Sequence, residues 1–241
     1  MKAVILTAGS GSRMIPLTQY MPKALLPLGM KPSVLFVAQE AVRAGAKKIL
    51  FICSPDSPLE SFFEFYKNYA DNPFGEAEFF FHYQPKPLGS GDALLYAEDF
   101  CKKDKFFLAN CDEIFEKNAM QQLSEMGGLC VGAKKVAQKQ RSMYGILHCG
   151  TDRIIGVEEK PLKSDGFALA SVGRYLLDGR IFDCIKQTSF FKGERRLTDA
   201  LNILFAKSVV LPCVIKGKRF DVGNPEGYKK AFQYFAFKEN G

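Results

Sequence analysis

The first 28 residues constrain the fold most, because they read as a buried strand that runs directly into a glycine loop. Residues 3–6 form a short, uncharged apolar run with β-branched members, which is typical of a strand buried inside a sheet. Residues 7–12 are small and include Gly9 and Gly11, so the backbone can turn sharply and bring its N–H groups close to a ligand. Arg13 then supplies a cation with a fork of donors that suits phosphate oxygens. This order predicts a cradle for a polyphosphate.

Two familiar phosphate loops do not match this stretch. A P-loop requires Gly-x-x-x-x-Gly-Lys-Ser/Thr, and the chain contains no such run. The dinucleotide fingerprint requires a third glycine, but Met14 stands at that place. Prolines also interrupt the helix that should follow: Pro16, Pro22 and Pro27. We therefore expect a long loop that wraps around the ligand and carries Lys23 back to the phosphates. On the glycines alone, an ordinary strand and turn with surface charges is an equal alternative.

Composition narrows the class of protein. The 241 residues predict one domain, or at most two, and 47% apolar residues are enough for a substantial core. No apolar stretch approaches the roughly 20 residues that are needed to span a bilayer. Lys2 leads into a strand rather than into a signal-peptide cleavage site. We expect neither membrane insertion nor secretion.

Cysteine usage and net charge point to a cytoplasmic protein with phosphorylated ligands. The seven cysteines are scattered and form no Cys-x-x-Cys pair, which favours reduced thiols over disulfides or zinc. The net charge of +7 fits either a nucleic-acid surface or a cleft for metabolites with several phosphates. Because the lysines are spread along the chain, the sequence favours the metabolite cleft and no nucleic-acid partner.

Strand and helix patterns alternate along the chain, which predicts an α/β fold with parallel strands. The predicted strands are 3–6, 48–53, 77–83, 106–110 and 129–134. The predicted helices are 33–45, a segment within 55–75 whose phenylalanines belong to the core, a helix that starts near Asp92, 117–126 and 226–237. Residues 134–141 are predicted as a basic, mobile loop.

An ordered series of motifs relates the chain to a known family. Gly9-x-Gly11-Ser12-Arg13 is followed by Pro22-Lys23, Leu26-Pro27-Leu28 and Lys31-Pro32. This series resembles the signature of sugar-1-phosphate nucleotidyltransferases, and within that group it is most similar to the bacterial UTP–glucose-1-phosphate uridylyltransferases. Later segments match family motifs in the expected order: Tyr144-Gly145, Glu159-Lys160-Pro161, a strand at 169–177, Leu197-Thr198-Asp199-Ala200 and residues 216–228.

The resemblance implies a fold, a reaction and partners. The fold is a single-domain, Rossmann-like nucleotidyltransferase fold with a mixed, mainly parallel sheet flanked by helices. A nucleotide-binding half at about 1–115 and a sugar-binding half at about 116–241 are expected. The implied reaction transfers a uridylyl group from UTP to glucose-1-phosphate and releases pyrophosphate, with Mg²⁺ as cofactor. A homo-oligomer is compatible with the resemblance, and no membrane partner is implied.

The resemblance assigns two segments to the nucleotide. In the first, Ala8, Gly9 and Gly11 bind the nucleotide, while Arg13 and Lys23 act on the triphosphate.

In the second segment, Gln84 and Gly89 occupy the positions that bind the uracil ring in the family. A glutamine amide offers both a donor and an acceptor, which matches the edge of a pyrimidine base. Taken alone, this segment reads as a plain helix-entry turn.

Two aspartates are the candidate ligands of Mg²⁺. Asp112 follows the predicted strand 106–110, and open α/β sheets bind ligands at the carboxyl ends of their strands. Carboxylate oxygens are ligands that Mg²⁺ prefers. Asp112 matches the family's metal-binding aspartate, and Asp221 in the closing motif is a second candidate. Glu113 reads equally as solvated or functional.

The predicted sugar site contains a charged pair and two glycines. Glu159 can accept paired hydrogen bonds from sugar hydroxyls, and Lys160 can neutralise the sugar phosphate. The resemblance gives this pair those roles, counts Lys160 as catalytic, and adds Gly145 and Gly173 as sugar contacts.

Two departures leave the exact substrates open. Ala24 and Ala168 stand where the family usually has a glutamate and an asparagine. A thymidylyltransferase is one alternative, and a catalytically silent nucleotide-sugar sensor is another. Retention of the predicted phosphate and metal residues favours an active enzyme.

Overall fold

Strands and helices follow each other through the described chain. The computed structural model describes residues 1–68, 72–161 and 168–238. Its strands are β1 (Lys2–Leu6), β2 (Pro27–Leu28), β3 (Lys31–Pro32), β4 (Lys48–Cys53), β5 (Glu78–Tyr83), β6 (Phe106–Asn110), β7 (Glu113–Phe115), β8 (Cys130–Val136), β9 (Gly145–Cys149), β10 (Ile154–Glu159), β11 (Ala168–Leu177), β12 (Leu211–Val214) and β13 (Arg219–Asp221). Its helices are α1 (Ser33–Arg43), α2 (Leu59–Lys67), α3 (Ser90–Leu95), α4 (Glu98–Cys101), α5 (Ala119–Ser124), α6 (Arg180–Lys186), α7 (Leu197–Lys207) and α8 (Pro225–Lys238). Short 3₁₀ turns lie at Ser12–Met14, Leu17–Gln19, Lys23–Leu25 and Gln138–Met143.

One large sheet organises the molecule. Its strand order is β10-β9-β11-β6-β1-β4-β5, and β8 pairs with both β11 and β12. Strands β5, β4, β1 and β6 are parallel, as strand-helix-strand units require. Strand β11 is antiparallel to β6, β8 and β9, so the sheet is mixed. Two smaller sheets pair β7 with β13 and β2 with β3. The predicted single α/β domain with a mixed sheet and flanking helices is confirmed.

The register of the parallel strands brings the glycine loop and the Asp112 turn to one edge of the sheet. Leu6 at the end of β1 is paired with Asn110 at the end of β6. The backbone N–H of Cys111 donates to the Leu6 carbonyl at 3.3 Å. The two segments that follow these strands are therefore neighbours, at the carboxyl ends where open α/β sheets bind ligands.

Both faces of the sheet are buried. Ala3 and Ile5 of β1 pack into one core cluster and Val4 into another, as expected where side chains alternate across a strand. The prediction for the phenylalanines of 55–75 is confirmed for Phe63 and Phe74, which are buried, whereas Phe65 is exposed. Within the described residues, no helix is both long enough and apolar enough to cross a membrane.

The prediction of a loop over 134–141 is wrong at its start, because residues 134–136 belong to strand β8. Strand β8 continues to Val136, and a 3₁₀ turn follows over Gln138–Met143. Pairing with both β11 and β12 holds β8 in the sheet despite its charges. Lys134 donates from Nζ to the Gly217 carbonyl at 2.5 Å, and Arg141 is buried. Lys134 thus has a structural partner, which the charge pattern alone did not reveal.

Candidate active site

The glycine loop and the residues after it fold back on themselves, as the prolines predict. The Thr18 hydroxyl donates to the Gly11 carbonyl at 2.8 Å and ties the start of the loop to its middle. The 3₁₀ turn at Lys23–Leu25 then returns the chain to the sheet edge. Gly9 lies close to the 3₁₀ turn, because a Cβ placed on Gly9 would lie 4.0 Å from Lys23 Nζ. The predicted return of Lys23 to the glycine loop is found.

Lys23 contacts Asp112 directly. Its Nζ lies 2.6 Å from Asp112 Oδ2, although 89 positions separate the two residues in the chain. The side chains are 13% and 18% exposed, so the pair is shielded but still reachable by a ligand.

Four predicted residues converge, and Gly223 marks the place. A Cβ built on Gly223 would lie 2.7 Å from Asp112 Oδ2, 3.0 Å from Arg13 Nη2 and 3.1 Å from Asp221 Oδ1. The Gly223 N–H donates to Asp221 Oδ1 at 3.0 Å, which fixes that carboxylate. Through its contact with Asp112, Lys23 joins the same cluster. Only a residue without a side chain leaves room for these groups, and the sequence motif contained this glycine without assigning it a role.

Burial disfavours the charged forms of both Lys23 and Asp112, but the contact between the two side chains stabilises these charged forms more strongly. Desolvation works to lower the pKa of Lys23, and the Asp112 carboxylate outweighs it and raises that pKa above its ordinary value. Desolvation likewise works to raise the pKa of Asp112, whereas Lys23 and then Arg13 hold it below its ordinary value. Both side chains are therefore charged at neutral pH.

Cys111, which precedes Asp112, is a packing residue. It is buried in the core beside the site, and burial raises the pKa of its thiol to about 11. The thiol stays neutral at physiological pH and offers no nucleophile or metal ligand.

The cluster has the composition of a divalent-metal and phosphate site. Two carboxylates and two cations cancel formally, so the side chains alone cannot neutralise a triphosphate. Among the described residues, no three His, Cys, Asp or Glu side chains gather as a complete metal cage. Mg²⁺ is usually held by one or two carboxylates together with substrate phosphates and waters, and Asp112 with Asp221 fits that pattern.

The second nucleotide segment lies beside the first turn of α3. Gln84 is 4% exposed, and its Nε2 donates to Asp92 Oδ2 at 2.8 Å and to the Gly89 carbonyl at 3.3 Å. Gly89 has φ +100°, and a Cβ there would lie 2.6 Å from the Arg195 carbonyl oxygen. The position therefore requires glycine, and the predicted pair Gln84 and Gly89 are in contact.

Three of the predicted sugar residues have contacts with one another, and the fourth, Gly173, contacts Asn110. Glu159 Oε2 lies 3.4 Å from where a Cβ of Gly145 would stand, and Lys160 Nζ lies 3.5 Å from Glu159 Oε1. Gly173 instead lies against the Asn110 side chain, whose Nδ2 is 2.9 Å from a Cβ placed there. The structure thus places Gly173 beside Asn110, at the end of β6 that leads into the Asp112 turn.

A buried ion pair that sequence reasoning missed braces the Asp112 turn. Arg174 is fully buried and binds Glu40 through both Nε and Nη2, the latter at 2.9 Å from Oε2. Its guanidinium also donates to the carbonyls of Asn110 at 2.9 Å and Glu113 at 2.6 Å, on either side of Asp112. The available signal was a lone charge inside the apolar run of β11, matched by a glutamate on α1.

Glu113 is not solvated. It is buried and forms an ion pair with Arg219, whose Nη2 lies 2.6 Å from Oε1. The Arg219 guanidinium also stacks 4.4 Å from the centre of the Tyr144 ring. Arg219 therefore links the Asp112 turn to the residue that precedes Gly145.

Comparisons with known proteins identify relatives of this chain. The family model for nucleotidyl transferase matches residues 2–237. The UTP–glucose-1-phosphate uridylyltransferase of Mycoplasma pneumoniae is 32% identical over 98% of this chain and 92% of its own length. The enzyme of the same name from Mycoplasma genitalium is 31% identical over 95% of this chain and 89% of its own length. A crystal structure of UDP-glucose pyrophosphorylase complexed with UDP-glucose superimposes with a TM-score of 0.89, at 25% identity and 98% coverage of both chains. This chain belongs to the nucleotidyl transferase family.

Proposed function

We propose that this protein transfers a uridylyl group from UTP to glucose-1-phosphate, which gives UDP-glucose and pyrophosphate. The observation that carries the proposal is the convergence of Arg13, Lys23, Asp112 and Asp221 around Gly223. The names of the relatives specify the substrates, and the family membership specifies the reaction class.

The proposed chemistry needs positioning and charge neutralisation more than proton transfer. A phosphate oxygen of glucose-1-phosphate attacks the α-phosphorus of UTP, and pyrophosphate leaves from the opposite side. Because the nucleophile is already anionic, no strong general base is required. The protein's task is in-line placement and neutralisation of the phosphate oxygens.

The phosphate cluster supplies that neutralisation in our proposal. Arg13 offers a fork of donors, and Lys23 offers an ammonium that Asp112 keeps charged. Asp112 and Asp221 would hold Mg²⁺. The metal would supply further positive charge at the reacting phosphates. Together with Ala8, Gly9 and Gly11 in the adjacent loop, this group forms the core of a nucleotide-binding half at about 1–115. Asp221 belongs to this core although it lies much later in the chain.

The sugar phosphate is assigned to the second half, at about 116–241. Glu159 would accept hydrogen bonds from hexose hydroxyls beside Gly145, and Lys160 would neutralise the attacking phosphate. Lys160 is 59% exposed, so its ammonium is free to reach an incoming anion. The position of Gly173 beside Asn110 suits a contact where the two substrates meet.

A cytoplasmic location accords with the thiols. All seven cysteines are free, and six of them are buried. Reduced cysteines in this number are typical of a reducing compartment.

Thymidylyl transfer is the second candidate, because the orientation of Gln84 suits both bases. With its Nε2 engaged by Asp92 and Gly89, the amide presents an acceptor, and both uracil and thymine carry the ring N–H that it would bind. The test is pyrophosphate release across a grid of nucleoside triphosphates and sugar-1-phosphates. We expect the highest kcat/KM for UTP with glucose-1-phosphate. Faster turnover of dTTP would reassign the enzyme, and no release with any pair would favour a silent sensor.

A further inference from the structure

The amide of Gln84 is held in one orientation by groups that can only accept hydrogen bonds. Its two partners are the Asp92 carboxylate at 2.8 Å and the Gly89 carbonyl at 3.3 Å. Nitrogen and oxygen of an amide have nearly the same shape, but neither partner has a proton to give. The end of the amide that faces them must therefore be the NH₂ group.

This orientation leaves Oε1 as the group with which Gln84 can meet a ligand. Both hydrogen bonds of the side chain use Nε2, and within the described residues no donor reaches Oε1. An acceptor fits a pyrimidine that carries a hydrogen on N3, as uracil and thymine do. It disfavours cytosine, because the N3 atom of cytosine is itself an acceptor and cannot donate a hydrogen bond to Oε1.

Hydrogen bonds fix the backbone on both sides of the Gln84 amide. The side-chain amide can therefore change its orientation only by rotating about its own bond. The Gln84 backbone N–H donates to the Cys53 carbonyl at 2.8 Å, which continues the pairing of β5 with β4. Gly89 is locked between Leu88 and Gly91, which exchange backbone hydrogen bonds with Arg195 at 2.7 and 2.9 Å. Base selection then depends on which end of the amide is turned toward the ligand.

We propose that Asp92 is a specificity-determining residue, which holds Gln84 as an acceptor and so selects nucleotides whose base carries an N3–H. The inference rests on the proposed function, in which Gln84 reads the base. Turning the amide over would set Oε1 against the Asp92 carboxylate, and two acceptors in a shielded site repel each other. An asparagine at position 92 can donate as well as accept, so it removes the repulsion at that position and leaves only the weaker one from the Gly89 carbonyl.

The test compares the ratio of kcat/KM for UTP to kcat/KM for CTP among variants, at saturating glucose-1-phosphate. Asp92→Asn should lower the ratio by at least about tenfold, the equivalent of one hydrogen-bond preference. Asp92→Ala, which removes the acceptor without adding a donor, should lower it less. Asp99→Asn is the matched control, because Asp99 is an exposed acid on α4 and the substitution is the same. The ratio is measured on one folded protein at a time, so a general loss of stability does not move it.

The outcomes separate the inference from the function on which it rests. If Gln84→Ala abolishes the preference for UTP while Asp92→Asn retains it, the role of Asp92 is overturned and base reading by Gln84 stands. If the wild type shows no preference for UTP over CTP, or Gln84→Ala keeps all of it, base reading by Gln84 fails and the inference falls with it. A fall of the ratio in Asp92→Asn with none in Asp99→Asn supports the inference.

Discussion

Gly223 lies against three charged side chains of the site, those of Asp112, Arg13 and Asp221. A methyl group there would stand 2.7 Å from Asp112 Oδ2 and 3.0 Å from Arg13 Nη2. These neighbours are tips of flexible side chains, so an alanine variant can fold, but the charged groups must move apart.

We expect Gly223→Ala to lower kcat by roughly 100-fold, because displacements of about 1 Å at a reacting centre carry costs of that size. Steady-state kinetics at saturating substrates gives the comparison. Gly128→Ala is the control, since its nearest neighbour, Leu211 Cδ1, lies 3.9 Å from the added carbon. Normal turnover in Gly223→Ala would show that the cluster is not where the phosphates react.

Lys23 and Lys160 should serve different substrates, because they belong to different groups of contacts. Lys23 is paired with Asp112, whereas Lys160 stands beside Glu159. Lys23→Ala should raise KM for UTP most, and Lys160→Ala should raise KM for glucose-1-phosphate most. Titration of each substrate against both variants measures the split, with the exposed Lys229→Ala as control. A rise in the same KM for both variants would disprove the division.

Among the elements, the turn between β6 and β7 depends on strand β11 and helix α1. Arg174 of β11 binds the carbonyls on both sides of Asp112, and Glu40 of α1 neutralises Arg174. Glu40 also accepts from the Met120 N–H at 3.0 Å, which adds the start of α5. One buried ion pair therefore joins five elements behind the site: α1, α5, β6, β7 and β11.

Arg174→Met should lower the free energy of unfolding by about 3–5 kcal/mol, because it leaves Glu40 as an uncompensated buried charge. Chemical denaturation measures this loss. Lys230→Met is the matched control, since it breaks an exposed pair with Glu226 and should change stability little. A loss in Arg174→Met no larger than in the control would mean that the pair does not brace the turn.

Some of the strands and helices could be predicted from the sequence, and others could not. Strand β1 and the parallel strands around it were predictable, since an uncharged apolar run before a glycine loop has few other uses. The predicted helix over 117–126 is shorter, Ala119–Ser124, because the Asn118 side chain caps it by accepting from the Gln121 N–H at 2.8 Å. The start of the loop predicted over 134–141 was wrong, since residues 134–136 pair with the distant strand β11 and Lys134 binds the Gly217 carbonyl.

The residues of the candidate site likewise fall into those that could be predicted from the sequence and those that could not. Arg13, Lys23, Asp112 and Asp221 were predictable, because motifs carry them and phosphate chemistry requires their charges. The Arg174–Glu40 pair was not, since its two members lie 134 positions apart and neither belongs to a pattern that names the other.

At the scale of the whole molecule, burial predicts the reactivity of the cysteines. Cys149 is exposed, and the other six cysteines are buried. Burial raises the pKa of Cys130 to about 12 and that of Cys111 to about 11, so both stay as unreactive thiols.

A thiol reagent should therefore label one cysteine quickly in the native protein and the rest only on unfolding. Mass spectrometry of the labelled peptides identifies the site, and Cys149→Ser should abolish the fast phase. Two or more fast thiols in the native state would contradict the packing of the core.

The proposed function requires nucleotidyl transfer at the charged cluster around Gly223, and Asp112 is the residue of this cluster that tests it most directly. The measurement that tests it most directly is the rate of UDP-glucose formation from UTP and glucose-1-phosphate with Mg²⁺, for the wild type, Asp112→Asn and the exposed control Asp99→Asn. We predict an active wild type, a control with wild-type rate, and a loss of roughly two or more orders of magnitude in Asp112→Asn, as is common when an electrostatic stabiliser is removed. Full activity in Asp112→Asn, or in the wild type with excess chelator, would contradict the account.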